Sequence, residues 1–216
     1  MRPYDAAIFD LDGLLIDTER LAIAAGYEAL DQMGQPHVAG LFESLVGKDD
    51  ATGARLVAAR YGDAFPFADF SQRWSLLFQA RLDSGIPLRP GADTLLGQLA
   101  RQGLPCAVAT SSRRASALRK LDLTGLAPHF ATVVTFDCIA SPKPAPDPYL
   151  EAARRLGIAP GRCIAFEDSD PGAAAAHAAG MTVVQVPDMA ETTGPHAHHL
   201  AASLIEGARM AGLIGG

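Results

Sequence analysis

Short, almost continuously apolar runs recur along the chain, and each ends in a polar or acidic residue. Such runs are typical of strands that are buried on both faces of a parallel sheet. Five runs have this character: DAAIFD (5–10), CAVAT (106–110), ATVVT (131–135), CIAFE (163–167) and TVVQV (182–186). The pattern therefore predicts a parallel five-stranded core.

Helical patterns separate these runs. In GADTLLGQLARQG, three leucines fall on one side and the pattern ends at Gly103, as helices often do at a glycine. In DPGAAAAHAAG, we expect Asp170 to cap a helix that has Pro171 at its first position. Alternating strands and helices predict right-handed βαβ units. The expected fold class is α/β, a Rossmann-like, doubly wound sheet.

A long gap of about 95 residues interrupts this alternation between the first two predicted strands. Two stretches within the gap, TERLAIAAGYEALDQMG and FSQRWSLLFQARLD, have helical patterns, and no strand pattern lies between them. We therefore predict an inserted all-α cap domain at residues 16–85. The catalytic core would be discontinuous, formed by residues 1–15 and 86–216, and the Gly- and Pro-rich segment 84–92 would be a linker.

Composition narrows the class of protein. The chain has 216 residues, of which 49% are hydrophobic and 19% are charged, and this favours one globular protein with a large core. The net charge of −6 is a poor match for nucleic acid. Three cysteines without C-x-x-C spacing indicate neither a disulfide framework nor a zinc site, and no apolar stretch reaches the roughly 20 residues of a membrane helix. We expect a cytoplasmic monomer or weak dimer with no nucleic-acid or membrane partner.

Residues that carry chemistry follow four of the predicted strands. In an open parallel sheet, ligands bind beyond the carboxyl ends of the strands. The residues at these positions are Asp10 and Asp12 after the first strand, Thr110, Ser111 and Ser112 after the second, Lys143 after the third, and Glu167 and Asp168 at the end of the fourth. Four neighbouring carboxylates require a cation, and oxygen ligands of this type suit Mg²⁺.

These motifs resemble those of the haloacid dehalogenase (HAD) superfamily, in the phosphatase branch that carries a helical cap. The motifs are DLDG (10–13) with Thr18, TSS (110–112), SPKPAPD around Lys143, and FEDSDPG (166–172). Phosphoglycolate-phosphatase-like and β-phosphoglucomutase-like members are the most similar. The resemblance implies a Mg²⁺-dependent phosphatase that acts on a small phosphorylated metabolite, such as a phosphosugar or a phosphoglycolate-like ester, through an aspartyl phosphate.

The resemblance also implies the roles of the site residues. Asp10 would be the nucleophile, and Asp12 would protonate the leaving alcohol and then activate water. Thr110, with the two serines after it, would bind the phosphoryl oxygens, and Lys143 would offset negative charge on Asp10 and on the phosphate.

A metal site is implied in the same way. Mg²⁺ would be held by the Asp10 side chain, the backbone carbonyl of Asp12 and Asp168, with Glu167 acting through water. The inserted cap would exclude water during the attack on phosphorus and would select the leaving group.

Three other functions compete with hydrolysis. A phosphosugar mutase is the main alternative, but where such mutases carry a histidine and a cap arginine this chain has Ala22 and Asp50. A dehalogenase would lack the second aspartate, Asp12. A phosphoryl-accepting receiver module has no helical insert and carries its acceptor on the third strand. Hydrolysis is therefore favoured.

Some charged residues receive no functional role. The cap residues Lys48, Arg55, Arg73 and Arg81 are interpreted as solvated helix residues, so the sequence does not identify the phosphate ester. The cluster of His196, His198 and His199 is interpreted as a solvated surface cluster rather than a metal site.

Overall fold

A six-stranded parallel sheet forms the centre of the larger part of the molecule. The structure is a computed structural model that describes residues 3–45, 50–62 and 64–215, so that Lys48 and the side chain of Asp50 lie outside the description. The strands are β1 (Ala6–Phe9), β2 (Cys106–Ala109), β3 (Thr132–Val134), β4 (Cys163–Glu167), β5 (Thr182–Gln185) and β6 (His199–Leu200). The helices are α1 (Thr18–Gln32), α2 (Asp50–Tyr61), α3 (Phe67–Ser84), α4 (Ala92–Arg101), α5 (Arg114–Leu123), α6 (Asp147–Leu156), α7 (Asp170–Ala178) and α8 (Leu204–Met210).

The strands lie in the order β3-β2-β1-β4-β5-β6, and every neighbouring pair is parallel. The predicted α/β class, with a doubly wound parallel sheet, is confirmed. All four residues of β1 are fully buried, as expected of a central strand covered on both faces. The sheet has six strands rather than five, because the two-residue β6 pairs with β5. A strand this short leaves no apolar run in the sequence.

The start of α7 differs from the prediction. Ser169, rather than Asp170, is the N-cap, and its hydroxyl accepts a hydrogen bond from the Gly172 N–H at 3.3 Å. Asp170 is the first helical residue, and its carboxylate accepts hydrogen bonds from Gln185 Nε2 at 2.8 Å and from the Thr192 hydroxyl. The expected cap was wrong because those two partners engage the Asp170 side chain.

The chain divides into two compact units, a core unit of Met1–Asp17 with Pro87–Gly216, and an inserted unit of Thr18–Ile86. In the inserted unit, α1 packs on α3, and the Trp74 indole N–H of α3 donates to the Ala22 carbonyl of α1 at 2.7 Å. Phe42 and Phe70 are fully buried beside Trp74. In the described part of the chain, no helix has both the length and the apolarity needed to cross a membrane.

Candidate active site

The carboxyl edge of the sheet carries the predicted catalytic groups. The parallel hydrogen-bond pattern extends one residue beyond β1 and β2, since the Asp10 N–H donates to the Phe166 carbonyl and the Thr110 N–H donates to the Val134 carbonyl, each at 3.0 Å. Asp10 and Thr110 are therefore fixed by the sheet itself. Both are buried, with 6% and 1% of their surface exposed.

Lys143 lies against Asp10, as the resemblance implied. Its ammonium Nζ is 2.5 Å from Asp10 Oδ1 and 2.5 Å from Glu167 Oε1. The ammonium also lies 5.3 Å from the centre of the Tyr149 ring, within the range of a cation–π contact. One buried cation therefore holds together two carboxylates that would otherwise repel each other.

The fully buried Glu167 carboxylate is surrounded by protein donors. Besides Lys143, the Tyr149 hydroxyl donates to Oε1 at 2.6 Å, and Oε2 accepts from the Asp168 N–H at 3.2 Å and from the Ser169 hydroxyl at 3.1 Å. A β-carbon added to Gly172 would be only 1.9 Å from Oε1. Glycine at this position therefore makes room for the carboxylate.

Three carboxylates form a group that fits a metal ion. Asp10, Glu167 and Asp168 each offer one oxygen, and these oxygens lie within 4.8 Å of one another. Oxygen donors of this kind match the preference of hard divalent cations such as Mg²⁺. The Asp12 carboxylate is not part of this group.

Burial dominates the electrostatics of the nucleophile candidate. It raises the pKa of Asp10 to about 7, because loss of hydration outweighs the attraction of Lys143, and the negative charge of Glu167 adds to the effect. Burial lowers the pKa of Lys143, but Asp10 and Glu167 outweigh burial, so that the pKa is raised and the side chain stays an ammonium. Additional positive charge near Asp10 would favour its ionised form.

Asp12 has partners that the sequence analysis missed. Lys120 of α5 places Nζ 2.7 Å from Asp12 Oδ1, and the Ser112 hydroxyl donates to Oδ2 at 2.8 Å. Lys120 is buried on the same helix face as Ala117 and Leu121. Lys120 and Leu121 follow Ala117 by three and four positions, and this helical spacing is the signal that could have identified Lys120 as buried.

The predicted phosphate-binding segment 110–112 is engaged in local hydrogen bonds. The Thr110 hydroxyl oxygen accepts from the Ser112 N–H at 3.0 Å, while Ser111 is exposed. Helix α5 begins at Arg114, whose N–H donates to Asp137 Oδ2 at 2.6 Å. The backbone N–H groups of Ser112 and Arg114 thus have protein partners.

The histidine cluster lies beside strand β5. His198 accepts a hydrogen bond from the Val183 N–H through Nδ1 at 3.0 Å and stacks on His177, with ring centres 5.6 Å apart. The ring centre of His196 is 5.9 Å from that of His177. Among the residues that the structure describes, these histidines form no group of three close enough to hold a metal ion.

Comparison with known proteins identifies the family. A model of haloacid dehalogenase-like hydrolases matches residues 4–180. The chain belongs to this family. It is 35% identical over 184 residues to the fructose-1-phosphate phosphatase of Escherichia coli, covering 85% of this chain and 96% of that protein. It is 32% identical over 219 residues to a "probable pseudouridine-5′-phosphatase" of Drosophila melanogaster, covering 95% and 92%.

A solved structure agrees with this assignment. The HAD family hydrolase of Deinococcus radiodurans, solved with bound phosphate and sodium, is 28% identical, covers 99% of each chain and has a TM-score of 0.82. The prediction that the chain is an HAD-like phosphatase is therefore confirmed. Hydrolases of this family generally use a divalent metal, and the acidic group of Asp10, Glu167 and Asp168 is consistent with that requirement.

Proposed function

We propose that this HAD hydrolase is a Mg²⁺-dependent phosphatase that hydrolyses a small phosphate ester, phosphosugar or phosphoglycolate-like, through an aspartyl phosphate. One observation carries the proposal: the Asp10 carboxylate is buried against the Lys143 ammonium, within 4.8 Å of oxygens from Glu167 and Asp168. The site thus combines a nucleophile, a fixed cation and ligands for a second cation. The names of two relatives, a fructose-1-phosphate phosphatase and a "probable pseudouridine-5′-phosphatase", support a phosphorylated small molecule as substrate.

In the first half of the proposed reaction, a carboxylate oxygen of Asp10 forms a bond to phosphorus while the bond from phosphorus to the ester oxygen breaks. Asp12 gives its proton to the departing alcohol oxygen. Lys143 offsets the charge that gathers on Asp10 and on the phosphoryl oxygens, and Thr110 with Ser111 and Ser112 binds those oxygens.

In the second half, water attacks the phosphorus of the aspartyl phosphate. Asp12, now a carboxylate, takes a proton from that water, and the bond between phosphorus and the Asp10 oxygen breaks. Inorganic phosphate leaves, and both aspartates return to their starting states. Dividing the reaction in this way replaces one difficult displacement with two easier ones.

The metal ligands in this proposal are Asp10, Asp168 and the backbone carbonyl of Asp12, with Glu167 acting through water. Mg²⁺ bound there supplies positive charge that favours ionised Asp10 and offsets the charge of the phosphoryl group. The protein donors around Glu167 suit an indirect role, because they already engage both of its oxygens. We also propose that residues 16–85 act as a cap domain on the catalytic core.

A panel of phosphate esters tests the proposal. Phosphate release is measured with Mg²⁺, with EDTA, and with and without a sugar bisphosphate activator. Hydrolysis predicts release that needs Mg²⁺ and no activator. The alternative, a phosphosugar mutase, predicts an isomerised sugar phosphate that forms only with the activator, and that result would contradict the proposal.

Two variants sharpen this test. Asp10→Asn should abolish turnover while far-UV circular dichroism shows that the protein stays folded, since loss of a nucleophile removes a large share of the acceleration. Asp93→Asn makes the same chemical change at an exposed residue in the first turn of α4 and should keep full activity. Full activity in Asp10→Asn would exclude the aspartyl phosphate.

A further inference from the structure

A buried lysine lies beside the site without a role in the chemistry described above. Lys120 is only 5% exposed. Lysine is almost never buried in proteins unless its ammonium has a partner. It lies on the inner face of α5, between Ala117 and Leu121, where an apolar residue would ordinarily pack. Its ammonium must therefore be compensated by a specific partner.

That compensation comes from Asp12 and Ser112, which form a closed triangle with Lys120. The ammonium Nζ lies 2.7 Å from Asp12 Oδ1 and 3.0 Å from Ser112 Oγ. The Ser112 hydroxyl in turn donates to Asp12 Oδ2 at 2.8 Å. Each oxygen of the carboxylate thus has its own donor, so rotation of the Asp12 side chain would break at least one of these hydrogen bonds.

The two buried lysines contact different carboxylates. Lys143 contacts Asp10 and Glu167, whereas Lys120 contacts Asp12. We propose that Lys120 is a positioning residue, which fixes the orientation of the Asp12 carboxylate for the two proton transfers. This inference rests on the function proposed above. A general acid or base must lie within hydrogen-bond reach of the proton that it moves, and a misplacement of about 1 Å can cost on the order of 100-fold in rate.

Replacement of Lys120 by methionine tests the inference. Lys120→Met keeps the long apolar stem in its buried position and removes the ammonium. We expect kcat for an alkyl phosphate, measured with Mg²⁺, to fall roughly 10- to 100-fold, while KM changes less than about twofold. The loss of kcat/KM, which reports only the first half of the reaction, should be smaller for an aryl phosphate, because an aryl leaving group depends less on protonation.

A double-mutant cycle distinguishes positioning from a general structural effect. On the aryl ester, Lys120→Met should cost less than about twofold when Asp12→Asn is already present, since a residue that acts only through Asp12 has nothing left to position. Arg101→Met, which removes an exposed cation from α4, is the matched control and should leave kcat unchanged. If Lys120→Met does not fold, Lys120→Leu, which also lacks a donor, enters the same cycle with the same expectation.

The outcomes separate this inference from the proposed function. A wild-type protein that releases no phosphate from any ester would overturn both. An active wild type with an unchanged kcat in Lys120→Met would overturn the positioning role alone. Independent losses that multiply in the double variant, or equal losses of kcat/KM on alkyl and aryl esters, would also overturn it.

Discussion

Gly172 offers a direct test of the packing around Glu167. Gly172 is a helical residue of α7, and a β-carbon added there would lie 1.9 Å from Glu167 Oε1 and 2.2 Å from Oε2. Ordinary contacts begin near 3.4 Å, so in Gly172→Ala either the carboxylate or the helix must move by more than about 1 Å. Glu167 is fully buried, so a displaced carboxylate would have to leave the donors that surround it.

The expected cost follows from what such a movement breaks. The carboxylate would lose contact with the Lys143 ammonium at 2.5 Å and the Tyr149 hydroxyl at 2.6 Å, and each hydrogen bond to a charged group contributes about 1.5–3 kcal/mol. Replacing a helical glycine by alanine by itself stabilises the helix by up to about 1 kcal/mol. We expect Gly172→Ala to lower the free energy of unfolding by about 3 kcal/mol.

Urea unfolding followed by far-UV circular dichroism measures this free energy. The fluorescence of Trp74, the single tryptophan, would instead report the inserted unit. Gly97→Ala is the matched control, because it is also a helical glycine but its added β-carbon would meet only the flexible end of Arg101 at 3.5 Å. It should stabilise the protein by about 0.5–1 kcal/mol. A Gly172→Ala protein as stable as the wild type would refute the packing argument.

Three further predictions concern the buried network and the histidine cluster. In EDTA, Lys143→Met should reduce stability by about 3–5 kcal/mol at pH 7.5, because Asp10 and Glu167 lose the cation that compensates them. Urea unfolding at pH 5.5 should show a smaller deficit, because the pKa of Asp10 is raised to about 7 and its carboxylate takes up a proton. Tyr149→Phe should cost about 1–2 kcal/mol in the same assay, since Glu167 keeps its other donors; an unchanged midpoint would mean that the hydroxyl contributes nothing. Partial loss of hydration and the neighbouring histidines lower the pKa of His198, so its contribution to stability is present above about pH 6.5 and is lost as the pH falls through the lowered value. Between pH 7.5 and 5.5 the melting temperature of the wild type should therefore fall more than that of His198→Asn, which keeps an acceptor near the Nδ1 position. A larger fall in the variant would contradict the lowered pKa of His198.

Most of the sheet could be predicted from the sequence because its central strands are buried on both faces. The runs that contain β1 and β4 are apolar at nearly every position, and the structure places the strands within them. The short β6 could not be predicted, since it contains a histidine and is held only at the edge by β5. Its position depends on tertiary contacts rather than on a local pattern.

For the site residues too, some contacts follow from the sequence pattern and others depend on tertiary packing. The contact of Lys143 with Asp10 follows from topology, because both residues lie at the carboxyl edge of one parallel sheet. Lys120 and Tyr149 lie within helices, and their polar ends reach Asp12 and Glu167 only after those helices pack on the sheet. The roles assigned to the site residues and the domain limits at residues 16–85 stay predictions.

The central position of β1 has a consequence for synthesis of the protein. This strand is made before its neighbours β2 and β4, which begin at Cys106 and Cys163, after the whole inserted unit. At roughly 5–20 residues per second, the apolar segment AAIF waits on the order of ten seconds for a pairing partner, whereas the inserted unit is contiguous and can fold as soon as it leaves the ribosome. The inserted unit can therefore fold before the sheet can form, and chaperones that shield exposed strands would act on the β1 segment.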